Sequence, residues 1–233
     1  MFKKSIKNYL AIPNNLLNRQ LWVKKTLLNV SKRNRILDAG AGEQQYKQYC
    51  SHLNYVSQDF NQYDGHGNDV GLQTGIWDVS DIDIVSDILK IPEKDSSFDT
   101  IICTEVFEHI PDPTAALAEF YRLLRPGGEL ILTAPFASLT HFAPYHFSTG
   151  FSKYWYEHHL PKTGFEITEL TPNGDYSAIL AQELIRMLTY FGKAPFFIKI
   201  FTAFILRYIK SRKNQKSNAD LGCFGYHVTA QKK

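Results

Sequence analysis

The sequence predicts an α/β chain built on a doubly wound, mostly parallel sheet of seven strands, with a helical cap inserted before the last strand. Three observations lead there. Short apolar runs alternate with amphipathic helical stretches from about residue 14 to about 172. Two of the runs, Ile101-Ile102-Cys103 and Leu130-Ile131-Leu132, are continuously apolar, as central strands covered on both faces should be. The third is the stretch from Arg35 to Glu43, where a short apolar run ends in Asp38 and breaks into Gly40-Ala41-Gly42. That is how a parallel strand hands over to a ligand-binding loop, because residues without Cβ let the backbone turn sharply and lie against a ligand.

The elements follow in order. Leu16, Leu17, Leu21, Trp22, Leu27 and Leu28 mark an amphipathic helix over about 14 to 31. Strands are expected at Arg35–Asp38, Tyr55–Gln58, Ile82–Ser86, Thr100–Thr104 and Glu129–Ala134, the third interrupted by Asp81 and Asp83. The segment Gln44 to His52 is expected to form a helix whose first N–H groups face the ligand. Pro111 and Pro113 introduce a further helix, Pro113 to Leu124, which Arg125-Pro126-Gly127-Gly128 ends. Beyond Phe136, His141-Phe142-Ala143-Pro144-Tyr145-His146-Phe147 is rich in aromatics and histidine. A helix over Thr149–Thr163, a strand over Gly164–Thr171, a mostly helical stretch over 175–213 and a last strand over Cys223–Gln231 complete the chain. The expected organisation is one domain, 1–233: an N-terminal helical segment (1–33), a ligand-binding core (34–172), a helical insertion (173–218) and the final strand (219–233).

Composition narrows the function. The 233 residues carry a net charge of +3, mild for a nucleic-acid binder, so no nucleic-acid partner is expected. The three cysteines are scattered and form no C-x-x-C, which fits a reducing cytosol rather than a disulfide framework or zinc site. The basic start (Lys3, Lys4, Lys7) is followed by only a short, interrupted apolar run and reads as neither a signal peptide nor a membrane span. Asp59, with Phe60 after it, ends the second strand about twenty residues beyond the glycine turn, a spacing that suits a carboxylate on a ribose diol. The third glycine of the dinucleotide fingerprint is missing, and Gln45 stands in its place. The chain also holds no Tyr-x-x-x-Lys pair. Both features weigh against a nicotinamide-dependent oxidoreductase or epimerase and toward a nucleoside carrying something other than a pyrophosphate.

Taken together, these pieces resemble the class I S-adenosylmethionine-dependent methyltransferases, with their Rossmann-like sheet, over about 34 to 172 and the last strand. The resemblance implies S-adenosylmethionine as cofactor. It implies that Ile36 to Gly42 form the cofactor loop, with Asp38, Gly40, Ala41 and Gly42 at the ligand, and that Asp59 and Phe60 lie at the ribose. It puts Asp87 near the adenine amine and Ile88 against the ring, and Thr104 and Glu105 at the mouth after the fourth strand. Glu43-Gln44-Gln45 departs from the usual glycine-bearing continuation. Pro144-Tyr145-His146-Phe147 with Thr163-Gly164-Phe165 resembles a bacterial subgroup acting on cell-surface glycans or in specialised metabolism. A cytoplasmic enzyme acting at oxygen or nitrogen of a small-molecule or glycan acceptor is therefore expected. The rival readings are a non-catalytic module that kept the fold and the oxidoreductase disfavoured above.

Methyl transfer from a sulfonium has a neutral leaving group, so it needs alignment, and a base only where the acceptor carries a proton. His141 and His146, just past the fifth strand, are candidates for that base or for a substrate contact; equally they read as loop residues bonding a carbonyl. Tyr145 reads either as an acceptor contact or as an aromatic filling the cap, and His109 as a structural or cofactor-side residue. His158-His159 lacks a carboxylate cluster at ligand spacing, so no metal is expected there. The segment 194–213 reads as a basic amphipathic helix, with Lys199, Arg207 and Lys210 in one sector and Phe197, Ile198, Phe201, Phe204, Ile205 and Ile209 opposite. It is too interrupted by charge to span a bilayer. Two placements stand open: against its own core or a second subunit in a homodimer, or on the inner face of a membrane.

Overall fold

The computed structural model describes residues 14–190, 195–211 and 218–233. The basic start at Lys3, Lys4 and Lys7 and the basic residues Arg212, Lys213 and Lys216 lie outside the described residues. The elements are α1 (Asn15–Asn29), β1 (Arg35–Ala39), β2 (Asn54–Asp59), β3 (Ile84–Val85), β4 (Phe98–Thr104), α2 (Pro113–Leu123), β5 (Leu124–Pro135), α3 (Lys153–Thr163), β6 (Phe165–Asn173), α4 (Tyr176–Tyr190), α5 (Phe196–Ser211) and β7 (Gly225–Lys232).

The seven strands form one sheet in the order β3-β2-β1-β4-β5-β7-β6. β1 pairs parallel with β2 on one side and β4 on the other; β4 continues parallel to β5, and β7 runs antiparallel to β5. The order therefore reverses between β1 and β4. In such a sheet the loops leaving these two strands part in opposite directions and open a crevice at their carboxyl ends.

The chain divides into two compact units. One comprises 19–171 and 225–233, the other 14–18 and 172–224. In the larger unit, Val23 and Leu27 of α1 and Val30 just past its end recur at helical spacing and pack with Ile36, Ile102 and Ile131 of the central strands. α2 buries Ala116, Leu117, Phe120 and Leu123 along one face. Phe107, just past β4, stacks on Phe120 and meets Phe151 and Trp155 edge-on. Arg122 of α2 binds Glu119 and Asp95 and donates to the Ile91 and Glu93 carbonyls, which fixes the segment entering β4. In the smaller unit α4 and α5 pack against each other.

Two expectations are corrected. Gln44 to His52 is not a helix: the chain runs through turns into a single 3-10 turn at Lys47–Tyr49. Gly42 and Gln44 both hold positive φ (+49° and +54°), which a right-handed helix cannot include. Tyr46 and Cys50 are instead buried against α1. The third strand shrinks from Ile82–Ser86 to Ile84–Val85, because the Asp83 carboxylate bonds Ser57 N–H and Oγ in place of a ladder contact. The helix expected from Thr149 starts at Lys153, and that expected to reach Leu124 stops at Leu123, where β5 begins directly.

Asp112 caps α2, accepting from the N–H groups of Thr114 and Ala115 and from the Thr114 hydroxyl. Asp112→Ala leaves those donors without a protein partner and should cost about 1 kcal/mol. Thermal melting should then show Tm lower by about 3 °C.

Candidate active site

The loop after β1 is shaped from below by β2. Gly40 N–H and Ala41 N–H both donate to the Gln58 carbonyl (2.9 Å each), and Gly42 N–H donates to Asp59 Oδ2 (3.0 Å). Asp59 Oδ1 accepts from Asn61 N–H (2.9 Å), so the carboxylate is held at the end of β2 by one bond on each oxygen. The glycines are required by their surroundings. A Cβ on Gly40 would stand 2.5 Å from the Val106 side chain, and one on Gly42 would stand 2.5 Å from the Trp77 ring. The loops after β1 and β4 thus meet at the crevice, and both glycines sit at positive φ.

Asp38 lies within β1, buried, and accepts from the Tyr55 hydroxyl (2.7 Å). Burial, with a smaller push from Asp59, raises its pKa to about 7 against the opposing Tyr55 bond. Glu105 follows Thr104 at the end of β4 with φ +55°, a strained conformation for a residue with a Cβ. Its N–H donates to the Thr133 carbonyl, its carboxylate accepts from Thr133 Oγ1 (3.0 Å), and it pairs with Arg19 at 2.7 Å. Arg19 Nε and the Tyr46 hydroxyl are buried without a hydrogen-bond partner. Neither was singled out from sequence. Arg19 reads as one polar position on an amphipathic helix, and only the tertiary fold carries it to Glu105.

Asp87 is exposed and spends Oδ1 on the N–H of Leu89, within its own turn, while Ile88 is buried. Phe60 meets Tyr145 edge-on at 4.9 Å, which brings the loop after β2 to the loop after β5. The long segment between β2 and β3 folds over the glycine loop. Trp77 lies against Gly42, Asp78 N–H reaches Glu43, and Gln44 donates to the Asp81 carbonyl. This segment is strapped to the loop after β5: Leu72 N–H donates to Thr140 O, Phe142 N–H to Leu72 O, and Asn68 N–H to Ala143 O. Phe142 stacks on Tyr63 (4.4 Å) and on His109 (5.1 Å) and meets Trp77 edge-on (5.1 Å).

Beyond Phe142 the structure gathers three histidines that are far apart in sequence. His109, His141 and His146 each place one ring nitrogen within 4.8 Å of the others. His109 Nδ1 bonds the Tyr145 carbonyl, and His141 Nδ1 bonds the Leu139 carbonyl (2.8 Å), so the carbonyl-bonding role expected for a loop histidine is real for His141. Both ring nitrogens of His146 are buried without a partner. Glu108 lies beneath, its Oε1 3.7 Å from His109 Nε2 and 3.8 Å from His141 Nε2. Burial, then the charge of Glu105, drives Glu108 well above the usual carboxylate range. Burial lowers His146 and brings His109 down to about 4, so both rings are neutral near pH 7. The pair His158-His159 sits apart on α3, edge to face.

Asp38 sets a pH dependence whose sign is fixed. An unfolded aspartate titrates near 3.8 and this one at about 7, so between those values the folded chain holds one more proton. Its contribution is full below about pH 4 and is lost as pH rises through 7. Asp38→Asn keeps an oxygen acceptor for Tyr55 and removes the ionisation. Melting curves should show it more stable than the parent at pH 8, by roughly 5 °C, with the gap closing toward pH 5.

With this geometry described, the comparisons with known proteins can be placed on it. Residues 37–132 match the family model described as methyltransferase domain. Ubiquinone biosynthesis O-methyltransferase of Xanthomonas oryzae pv. oryzae is 40% identical over 63 residues, 27% of this chain and 26% of that protein. The protein of that name from Xylella fastidiosa is also 40% identical over 63 residues, 27% of this chain and 25% of its own length. The chain spans about a quarter of the length of the curated relatives it matches. Among solved structures, the [4+2]-cyclase SpnF aligns at TM-score 0.55 and 15% identity, over 92% of this chain and 80% of its own. A putative sarcosine dimethylglycine methyltransferase from Galdieria sulphuraria aligns at 0.52 and 16%, over 93% and 85%. Phosphoethanolamine N-methyltransferase 2 of Haemonchus contortus, solved with S-adenosylhomocysteine, aligns at 0.53 and 17%, over 92% and 52%. At these identities the structures establish the Rossmann-like fold, and a cyclase among them shows that the fold alone does not fix the chemistry. The matched segment runs from β1 into β5 and holds the glycine loop, Asp59, Asp87 and Glu105; over it the chain is similar to methyltransferase domains.

Proposed function

We propose that this chain transfers a methyl group from S-adenosylmethionine to an oxygen of a small-molecule or glycan-type acceptor. The observation that carries this reading is the glycine loop at the strand-order reversal, bonded to Gln58 and Asp59. The residues fit the cofactor. Val106 and Trp77 pack where a Cβ of Gly40 and Gly42 would stand, which fixes the glycine loop, and Asp59 keeps acceptor capacity for ribose hydroxyls. Arg19, paired with Glu105 and beside the buried Tyr46 hydroxyl, is a cation suited to the carboxylate of an amino-acid tail. Ile88 is the apolar surface for the purine.

S-adenosylmethionine supplies an electrophilic methyl on a sulfonium sulfur. The protein's part is alignment, exclusion of water and a route for the acceptor's proton. The aromatic wall of Tyr63, Trp77 and Phe142 closes off solvent above the glycine loop. Tyr145, His141 and His146 form the acceptor side, where an imidazole nitrogen can take the proton an acceptor oxygen must shed. Oxygen is favoured over nitrogen on two grounds. Thr104-Glu105-Val106-Phe107 stands after the fourth strand in place of an Asn-Pro-Pro-Tyr-type amine-methylating motif, and the 63-residue segment that is 40% identical to curated proteins matches O-methyltransferases. With this goes a single domain, 1–233, into which 173–218 is inserted, in a cytoplasmic protein.

The helix α5 supports a peripheral membrane contact. Phe197, Phe201, Phe204 and Tyr208 recur at helical spacing, each at least 60% exposed, while Thr202 and Leu206 on the same helix are buried. Among the described residues no helix is long and apolar enough to cross a membrane. An exposed aromatic stripe on a helix that also carries Lys199 and Arg207 suits the interface of an anionic bilayer.

Calorimetry with S-adenosylhomocysteine should give micromolar binding, weakened by about tenfold or more in Asp59→Ala, equivalent to ~1.4 kcal/mol. Well-folded parent protein that binds neither S-adenosylhomocysteine nor S-adenosylmethionine would end this reading. Sedimentation with anionic vesicles should pull down the parent and leave Phe201→Ser/Phe204→Ser in the supernatant. Equal behaviour of the two would remove the membrane contact.

A further inference from the structure

The three histidines and Glu108 have a need that the methyl-transfer reading leaves unmet. His109 and His141 each bond a backbone carbonyl through Nδ1. A carbonyl can only accept, so each Nδ1 carries the hydrogen and each Nε2 is a bare lone pair. Both lone pairs converge on the same oxygen, Glu108 Oε1, at 3.7 and 3.8 Å. These separations are too long for hydrogen bonds and too short for indifference among three acceptors. Glu108 Oε2 is buried with no partner, and so are both nitrogens of His146, beside them. A single proton placed anywhere in the group would satisfy one contact and leave the rest facing one another. One cation at the centre would satisfy all of them.

We propose that His109, His141, His146 and Glu108 form a binding site for a divalent transition-metal ion of the zinc class. Three imidazoles and one carboxylate are a donor set such ions take, whereas magnesium and calcium prefer oxygens. The two backbone carbonyls orient the His109 and His141 rings from behind, as outer partners of metal-bound imidazoles regularly do. Zinc-bound nitrogens stand about 3.4 Å apart in a tetrahedral site, so closing on the ion requires a contraction of the 4.8 Å cluster. His146 lies on the loop after β5 outside any helix or strand, whereas His141 is bridged to Leu72, so the contraction falls to side-chain rotation and to His146. The cysteines take no part: Cys50, Cys103 and Cys223 are buried, and none belongs to the histidine cluster. The ion's place in the chemistry rests on the reading above. An acceptor hydroxyl joining it as a fifth ligand would become acidic, its O–H bond breaking and the proton passing to water, so that His141 and His146 would act there as ligands rather than as the proton acceptor. The resulting oxyanion bonds the methyl carbon as the C–S bond breaks and its electron pair returns to sulfur.

The test uses the full chain without a polyhistidine tag, stripped with chelator and titrated with zinc chloride by calorimetry. Cobalt(II) absorption reads the geometry independently. One zinc ion per chain should bind with a micromolar or tighter Kd, and bound cobalt should show the visible bands of a low-coordinate nitrogen–oxygen site. His141→Ala and His146→Ala should each weaken zinc by about 100-fold or more, and His158→Ala should leave it unchanged. His146→Gln, of similar bulk, replaces the alanine variant if that one fails to fold. S-adenosylhomocysteine binding is measured on every protein. Failure of zinc to bind a chain that binds S-adenosylhomocysteine overturns the metal site and leaves the methyltransferase reading intact. So does zinc binding that survives in both histidine variants. Zinc binding lost with His146, in a chain that ignores S-adenosylhomocysteine, upholds the site and removes its link to methyl transfer.

Discussion

The carboxyl end of β2 governs the site. Gln58 and Asp59 receive the N–H groups of Gly40, Ala41 and Gly42, so the parallel register of β1 and β2 continues past the sheet into the loop. Without those bonds, three successive residues with two positive φ values would have no reason to hold one shape. With them, the turn is as rigid as the strands beneath it. The approach of Val106 from β4 and of Trp77 from the long segment before β3 then has a fixed surface to meet.

Much of this was legible in the sequence because strands and glycine turns are local. The apolar runs at Ile101-Ile102-Cys103 and Leu130-Ile131-Leu132 emerged as β4 and β5, and Asp59 falls at the end of β2 as its spacing required. The expected helix after Gly42 failed for an equally local reason, since Gln44 takes positive φ and Tyr46 turns inward to the core. Propensity cannot anticipate that a polar stretch will be bent by the loop it follows.

What the sequence concealed is long-range. His109 belongs to a turn after β4 and reads as structural, while His141 and His146 belong to the loop after β5. Their convergence on Glu108 depends on the parallel pairing of β4 with β5, which sets the two loops side by side. Arg19 is concealed in the same way, as a helix residue before the first strand whose charge ends beside Glu105. His158 and His159 are neighbours in sequence and sit together on α3, whereas the sheet sets His109 beside a loop more than thirty residues later in the chain.

The strap between the segment before β3 and the loop after β5 has a kinetic meaning. Backbone bonds from Asn68, Leu72 and Phe142 join two stretches that lie on opposite sides of the strand-order reversal, and the stacked rings of Tyr63 and Phe142 reinforce them. Neither stretch can swing away while the other stays, since parting them breaks all of these bonds at once. Entry and exit on the two sides of the crevice therefore share one cooperative gate, and the residence times of whatever occupies either side are set by the same opening.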